Sequence, residues 1–134
     1  VWVARSGREV VRLDPETGGV DGEPAEVAGA FDVAAGEGSA WALGEAGTLV
    51  RIDPDGGDAG DDTSKVSGAL DVAAGLGYVW VTTGDGRVLR FDPDSGRRVG
   101  PPIRIGRRPR AIAIGADSVW VAAARDGAVY RIVP

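Results

Sequence analysis

Hydrophobic positions along this chain come in runs of four to six residues, each closed off by glycine, proline or aspartate. One stretch shows the grammar. Leu70-Asp71-Val72-Ala73-Ala74 is followed by Gly75-Leu76-Gly77, then Tyr78-Val79-Trp80-Val81-Thr82, the turn Thr83-Gly84-Asp85-Gly86, Arg87-Val88-Leu89-Arg90-Phe91, the turn Asp92-Pro93-Asp94-Ser95-Gly96 and Pro102-Ile103-Arg104-Ile105. Short runs rich in β-branched and aromatic side chains between turn formers predict strands joined by hairpins, and no window carries an apolar period of 3.6 over helical length. Several runs are nearly continuous in apolar character, as in Ala40-Trp41-Ala42-Leu43 and Ser118-Val119-Trp120-Val121. That texture belongs to strands covered on both faces.

The runs also repeat. Trp2, Trp41, Trp80 and Trp120 lie 39, 39 and 40 residues apart. An Asp-Pro pair follows twelve residues on, at Asp14-Pro15, Asp53-Pro54 and Asp92-Pro93, and the fourth copy keeps only the proline, as Val133-Pro134. Gly36, Gly75 and Gly115 each precede a tryptophan by five residues. A period near forty with four strands per copy, A to D, is the size of one blade of a β-propeller, in which four-stranded antiparallel sheets pack face to face around an axis; a β-solenoid has a shorter coil. The expected class is therefore all-β, a single propeller domain over 1–134 with repeats 1–29, 30–68, 69–106 and 107–134. The first copy starts at strand B and the last stops after strand C, so about three and a half blades are expected. Rings usually hold about 4 to 8 blades. The expectation is part of a larger propeller, or a half that pairs with a second copy as a homodimer completing a ring.

The punctuation has local causes. Asp14-Pro15-Glu16-Thr17-Gly18 and its copies put a side-chain acceptor at the start of a turn, a fixed φ at the next position and a permissive glycine at the end, joining strand C to strand D. Between B and C lie Ser6-Gly7, Ala46-Gly47, Asp85-Gly86 and Asp126-Gly127, of which the two Asp-Gly pairs are strong hairpin signals. None of these glycines forms a phosphate-cradling loop between a strand and a helix.

The phrase Gly-Ala-Leu-Asp-Val-Ala-Ala-Gly-Leu-Gly-Tyr-Val-Trp-Val, continued by Gly-Arg-Val-Leu-Arg-Phe-Asp-Pro-Asp-Ser-Gly, resembles the bacterial propeller repeats of the NHL, YVTN (surface-layer) and virginiamycin-lyase-like group over the whole chain. The resemblance implies sensors and interaction scaffolds, some forming the extracytoplasmic part of receptor kinases, and so a periplasmic or extracellular location. It also includes enzymes. The lyase branch relies on a histidine near a magnesium site, and this chain contains no histidine. Quinoprotein propellers carry a docking motif similar to Asp14-Pro15-Glu16-Thr17-Gly18 in which a tryptophan soon follows the glycine; here Val20, Asp58 and Arg98 occupy that neighbourhood.

Composition narrows the chemistry further. With neither histidine nor cysteine, the chain supplies no imidazole or thiolate ligand, no Ser-His-Asp triad and no Cys-His pair. No catalytic residue, metal site or cofactor is expected. No apolar stretch is long enough to span a membrane. A net charge of −5, without aromatic residues interleaved among the arginines, argues against nucleic acid as a partner. Lys65 is the sole lysine in a composition typical of GC-rich bacteria.

Residues that obey the repeat are expected to be structural: the tryptophans as packing between blades, and Arg12, Arg51, Arg90 and Arg131 in pairs with Asp14, Asp53 or Asp92 or stacked on aromatic faces. Asp32 and Asp71, at the start of strand A, are a weak candidate for a cation near the axis. Departures from the repeat point to individual function. The last D to A connection reads Ile105-Gly106-Arg107-Arg108-Pro109-Arg110, where the preceding one, Val66-Ser67-Gly68-Ala69-Leu70, has no arginine. In a propeller the D to A and B to C connections share a face, so Arg107, Arg108 and Arg110 would join Arg5, Arg8, Arg87 and Arg125 there, against Glu9, Glu45, Asp85 and Asp126. The opposite face would hold Glu16, Glu37, Asp55, Asp58, Asp61, Asp62, Asp94 and Asp117 in its turns. The seven arginines are the expected binding residues, for a protein partner or an anionic small-molecule or glycan ligand.

Overall fold

The computed structural model describes residues 1–5, 7–55 and 59–134, with the backbone alone over 60–63. Strands β1 (Trp2–Arg5), β2 (Glu9–Arg12) and β3 (Ala25–Glu26) make the first sheet. β4 (Asp32–Gly36), β5 (Ser39–Gly44), β6 (Thr48–Ile52) and β7 (Ala59–Lys65) make the second, and β8 (Ala69–Gly75), β9 (Tyr78–Thr83), β10 (Arg87–Phe91) and β11 (Ile103–Arg104) the third. β12 (Pro109–Gly115), β13 (Ser118–Ala123) and β14 (Ala128–Ile132) complete the fourth. Within each sheet, sequence neighbours pair antiparallel. The chain is three and a half blades of a β-propeller.

The core lies between the sheets. Trp2 packs with Val33, Ala40, Ala42 and Ile52 of the second blade, Trp41 with Val72, Val79 and Val81 of the third, and Trp80 with Ile112, Val119 and Val121 of the fourth. An indole removes about 200 Å² from water when buried, worth on the order of 5 kcal/mol of transfer free energy before entropy is charged against it. Two of the glycines also bond the indole that follows: Trp80 Nε1 donates to the Gly75 carbonyl and Trp120 Nε1 to that of Gly115, both at 3.0 Å. At Gly36 a Cβ would stand 2.5 Å from the Ala74 carbonyl oxygen of the next blade, a separation that only glycine permits.

The arginine column stacks. Trp41, Trp80 and Trp120 lie directly across the ladder from Arg51, Arg90 and Arg131, whose guanidinium carbons sit 5.9, 5.9 and 5.6 Å from the ring centroids. Arg12 turns instead to Asp21, at 3.0 Å, and to the Pro54 carbonyl of the next blade, and Arg51 likewise reaches the Asp94 carbonyl. Pairing with Asp14, Asp53 or Asp92 is absent among the described residues. Those carboxylates accept backbone N–H groups of their own turns, from Glu16 and Thr17, from Asp55, and from Asp94 and Ser95. Positions 61 and 62 lie within β7 rather than in the turn before it, because the ladder shifts register between Val50 and Ile52; Asp58 lies outside the described residues.

Two sheet faces have no neighbour. Trp80 and Val81 are fully buried, whereas their equivalents Trp120 and Val3, on the last and first blades, are 38% and 37% exposed. Replacing Trp80 by alanine is expected to cost about 3–5 kcal/mol in urea unfolding, and replacing Trp120 less than half of that. In solutions dilute enough to hold the chain as a monomer, single-tryptophan variants should show acrylamide reaching Trp120 but not Trp80.

Candidate functional site

The D to A and B to C connections are knitted into one surface by backbone hydrogen bonds: Gly29 N to Gly7 O at 2.9 Å, Val66 N to Gly47 O at 2.6 Å, Ile105 N to Gly86 O at 3.0 Å and Ala124 N to Arg108 O at 3.1 Å. Arg5, Arg8, Arg87, Arg107, Arg108, Arg110 and Arg125 all belong to these connections or the strand ends beside them. They do not form one site. Arg5 and Arg8 line a hollow on the first blade with Gly7 and Glu9, while Arg108 and Arg110 line another, of about 240 Å³, with Leu70.

Three of the four acidic residues of this face are committed locally, while the exposed Glu45 carboxylate has no partner among the described residues. Glu9 pairs with Arg5 at 3.4 Å and Asp85 with Arg87 at 2.6 Å, and the Asp126 carboxylate accepts the Arg107 backbone N–H at 2.7 Å. The side chains of Arg8, Arg107, Arg108, Arg110 and Arg125 are exposed and have no carboxylate within ion-pair distance among the described residues. Exposed guanidinium groups with free donors are suited to planar anions such as carboxylate and phosphate.

Two backbone features set the Leu70 hollow apart, and composition alone did not disclose them. Arg108 holds φ at 54°, where the preceding connections place Gly29 and Gly68 at 62° and 71°. A left-handed conformation costs a residue with a Cβ roughly 1–2 kcal/mol. The second feature is a bulge at the start of strand A: the ladder skips Leu70 between Ala69 and Asp71, and skips Arg110 between Pro109 and Ala111. Phe31 occupies the same place in the second blade, donating its N–H to the Leu43 carbonyl although Leu43 already faces Asp32. Bulges re-aim side chains, and Phe31, Leu70 and Arg110 are all exposed. The signal available in the sequence was the alignment of Gly29 and Gly68 with Arg108.

Just inside that row, Asp32 and Asp71 are occupied by amides. Asp32 Oδ2 accepts Val72 N and Asp71 Oδ2 accepts Ile112 N, each at 2.7 Å and each in the next blade, while Asp71 Oδ1 also accepts Val72 N at 3.1 Å. The two carboxyl groups thus converge on one N–H. Burial, then the adjoining Asp32 carboxyl, push the Asp71 pKa up to about 7. Among the described residues no three acidic side chains gather as a metal site would require.

No protein-family model matches the chain, and no curated protein does. Solved structures do match. BamB from Moraxella catarrhalis aligns over 96% of this chain and 38% of its own, with a TM-score of 0.76 and 16% identity. The computationally designed Ika4 protein aligns over 94% of this chain and 79% of its own, with a TM-score of 0.68 and 15% identity. Myxococcus xanthus glutaminyl cyclase aligns over 94% and 57%, with a TM-score of 0.59 and 16% identity. At such identities the likeness is one of fold, and the fold is the β-propeller. This chain spans little more than a third of BamB's length.

The raised Asp71 pKa sets a pH dependence. Its proton is held in the folded state up to about pH 7 but released near 3.8 on unfolding, so its stabilising contribution is complete below about pH 4 and lost as pH rises through 7. Asp14 and Asp92 act oppositely: amide hydrogen bonds, led by those from Thr17 and Ser95, lower their pKa values, and that stabilisation is lost as pH falls below the usual carboxylate range. Thermal melts across pH should show Asp71→Asn flattening the decline between about pH 4 and 7 while leaving the acid limb unchanged.

Proposed function

We propose that this propeller segment is a noncatalytic binding or interaction module of the NHL, YVTN and virginiamycin-lyase-like kind, acting as an extracytoplasmic sensor or scaffold. Its arginine-rich face receives an anionic partner: an acidic protein loop, a carboxylated glycan or a small anionic ligand. The observation that carries this reading is the group of five exposed arginine side chains left without carboxylate partners on a face where Glu9, Asp85 and Asp126 are locally engaged and only Glu45 is free among the described residues. Unpaired like charges repel one another, and an anion relieves the repulsion while the focused positive potential raises its rate of encounter. The second reading is that the chain is a fragment of a propeller enzyme, a virginiamycin-type lyase or quinoprotein dehydrogenase, whose catalytic residues lie outside it; glutaminyl cyclase is an example of an enzyme with a similar fold.

The uncovered faces supply a further element. Val1 and Val3 on one side and Trp120 and Val129 on the other correspond to Val79, Val81, Trp80 and Val88, which bury one another's neighbours at the internal interfaces. A second copy placed head to tail brings the two kinds of face together as a homodimer completing a ring. Light scattering should then give twice the chain mass, falling towards the monomer on dilution; a monomer at every concentration removes the homodimer.

Charge reversal tests the basic face directly. Fluorescence anisotropy with a labelled oligoglutamate peptide should show binding that weakens steeply with salt. Substituting Arg107, Arg108 and Arg110 together by glutamate should lower affinity by more than about tenfold, or 1.4 kcal/mol, and flatten the salt dependence. Unchanged binding and slope would remove the proposal.

A further inference from the structure

We propose that the occupant of the basic face is an extended peptide in which apolar side chains adjoin an acidic one. Its apolar groups lie on Phe31 and Leu70 along the inner rim, and its carboxylate is held by Arg108 and Arg110. The inference rests on the reading of that face as an anion receptor and adds the chemistry of the ligand.

Three independent observations meet there. Phe31, Leu70 and Arg110 hold the same register position at the start of strand A in successive blades, each set out of the ladder. Phe31 is 48% and Leu70 39% exposed. Val1, Val3, Trp120 and Val129, exposed to a similar or greater degree, lie on the two uncovered sheet faces, whereas Phe31 and Leu70 stand at the start of strand A in the second and third blades, each of which has a blade on either side. An apolar residue kept in water at the same place in two consecutive blades, then exchanged for arginine in the third, makes a row that is apolar at one end and cationic at the other. The second observation is the hollow shared by Leu70, Arg108 and Arg110, which puts the change in chemistry inside one contact.

The third is strain. Arg108 keeps a left-handed backbone, as Glu37, Leu76, Ala116 and Asp117 do in the A to B turns, but at a position where the two preceding connections have glycine, so a long cationic side chain stands here at a cost that glycine would not carry. Its backbone is held by the bond from Ala124 N, and Arg107 beside it by the Asp126 carboxylate, so the guanidinium starts from a fixed base. The hollow, at about 240 Å³, is smaller than the roughly 300–1,000 Å³ of sites that enclose a small molecule. A row running across three blades, with only a shallow hollow at its charged end, fits a linear ligand.

The test uses the full chain and three labelled decapeptides: one with leucine and phenylalanine next to a pair of glutamates, one with those apolar residues replaced by serine, and one with the glutamates replaced by glutamine. The first should bind most tightly, with either replacement weakening it by about tenfold or more. Phe31→Ser and Leu70→Ser should bring the first peptide down to the affinity of the second and leave the second unchanged. Arg108→Gly should weaken both acidic peptides while raising the melting temperature by about a few degrees, which separates lost binding from lost folding. If the first two peptides bind equally and the rim variants change nothing, the inference is overturned while the anion-receptor reading stands. If neither binds in a salt-dependent way, both are overturned. Tight binding of decanoate with no preference among the peptides would also overturn it, in favour of a small amphipathic carboxylate. Full peptide affinity in Arg108→Gly would remove Arg108 from the site.

Discussion

The indole between successive sheets is the contact on which this fold depends. A sheet of short strands that is apolar on both faces is not stable in water by itself, and the strand B tryptophan is the largest group that each blade offers its neighbour. It is held by more than apolar contact. The ring N–H of Trp80 and Trp120 bonds the glycine carbonyl at the end of strand A, and the guanidinium of the facing arginine on strand C lies over the ring at Trp41, Trp80 and Trp120. Trp80 therefore joins strands A, B and C of its own blade and seats the next. Where the next blade is present the tryptophan is buried; on the last blade it is not.

Strand A adds a second tie, which works at the axis. Asp32 and Asp71 give up carboxylate oxygens to amides one blade further on, so the inner strands are joined by hydrogen bonds as well as by packing. In the fourth blade Ala111 takes this position and the series stops. The same blade carries Arg108 and Arg110 in place of the small or apolar residues of earlier copies. Structural regularity and chemical individuality thus meet within a few residues: a rim rigid enough to hold a strained arginine is also the place where the repeat gives up its shared chemistry.

Much of this was legible in the sequence because the relevant features are periodic or local. The 39- to 40-residue spacing of the tryptophans gave blade size and strand number, and Asp-Pro followed by glycine gave turns whose aspartates accept the expected amides. What was not legible depends on partners a full repeat away or on backbone geometry. No local pattern links Asp32 to Val72 N, forty positions on. Leu70 opens a strand run, and nothing local in the sequence marks it as set out of the ladder. Asp61 and Asp62 read as turn residues because their charge is untypical of a strand, yet the register shift beside Val50 carries them into β7. The arginine column was open between pairing and stacking; with the turn aspartates taken up by amides, Arg51, Arg90 and Arg131 stack while Arg12 pairs with Asp21.

Native-state hydrogen exchange, followed amide by amide in a dilute solution of the chain, tests the dependence on inter-blade packing most directly. Amides of β5 and β9, between covered faces, should exchange slowest and near the global unfolding limit. Those on the outer edge of β14 and in β1 should exchange orders of magnitude faster, with the Val72 and Ile112 amides protected by the carboxylates of the preceding blade. Equal protection of all four sheets would contradict an open stack of blades each stabilised by the tryptophan face of its neighbour.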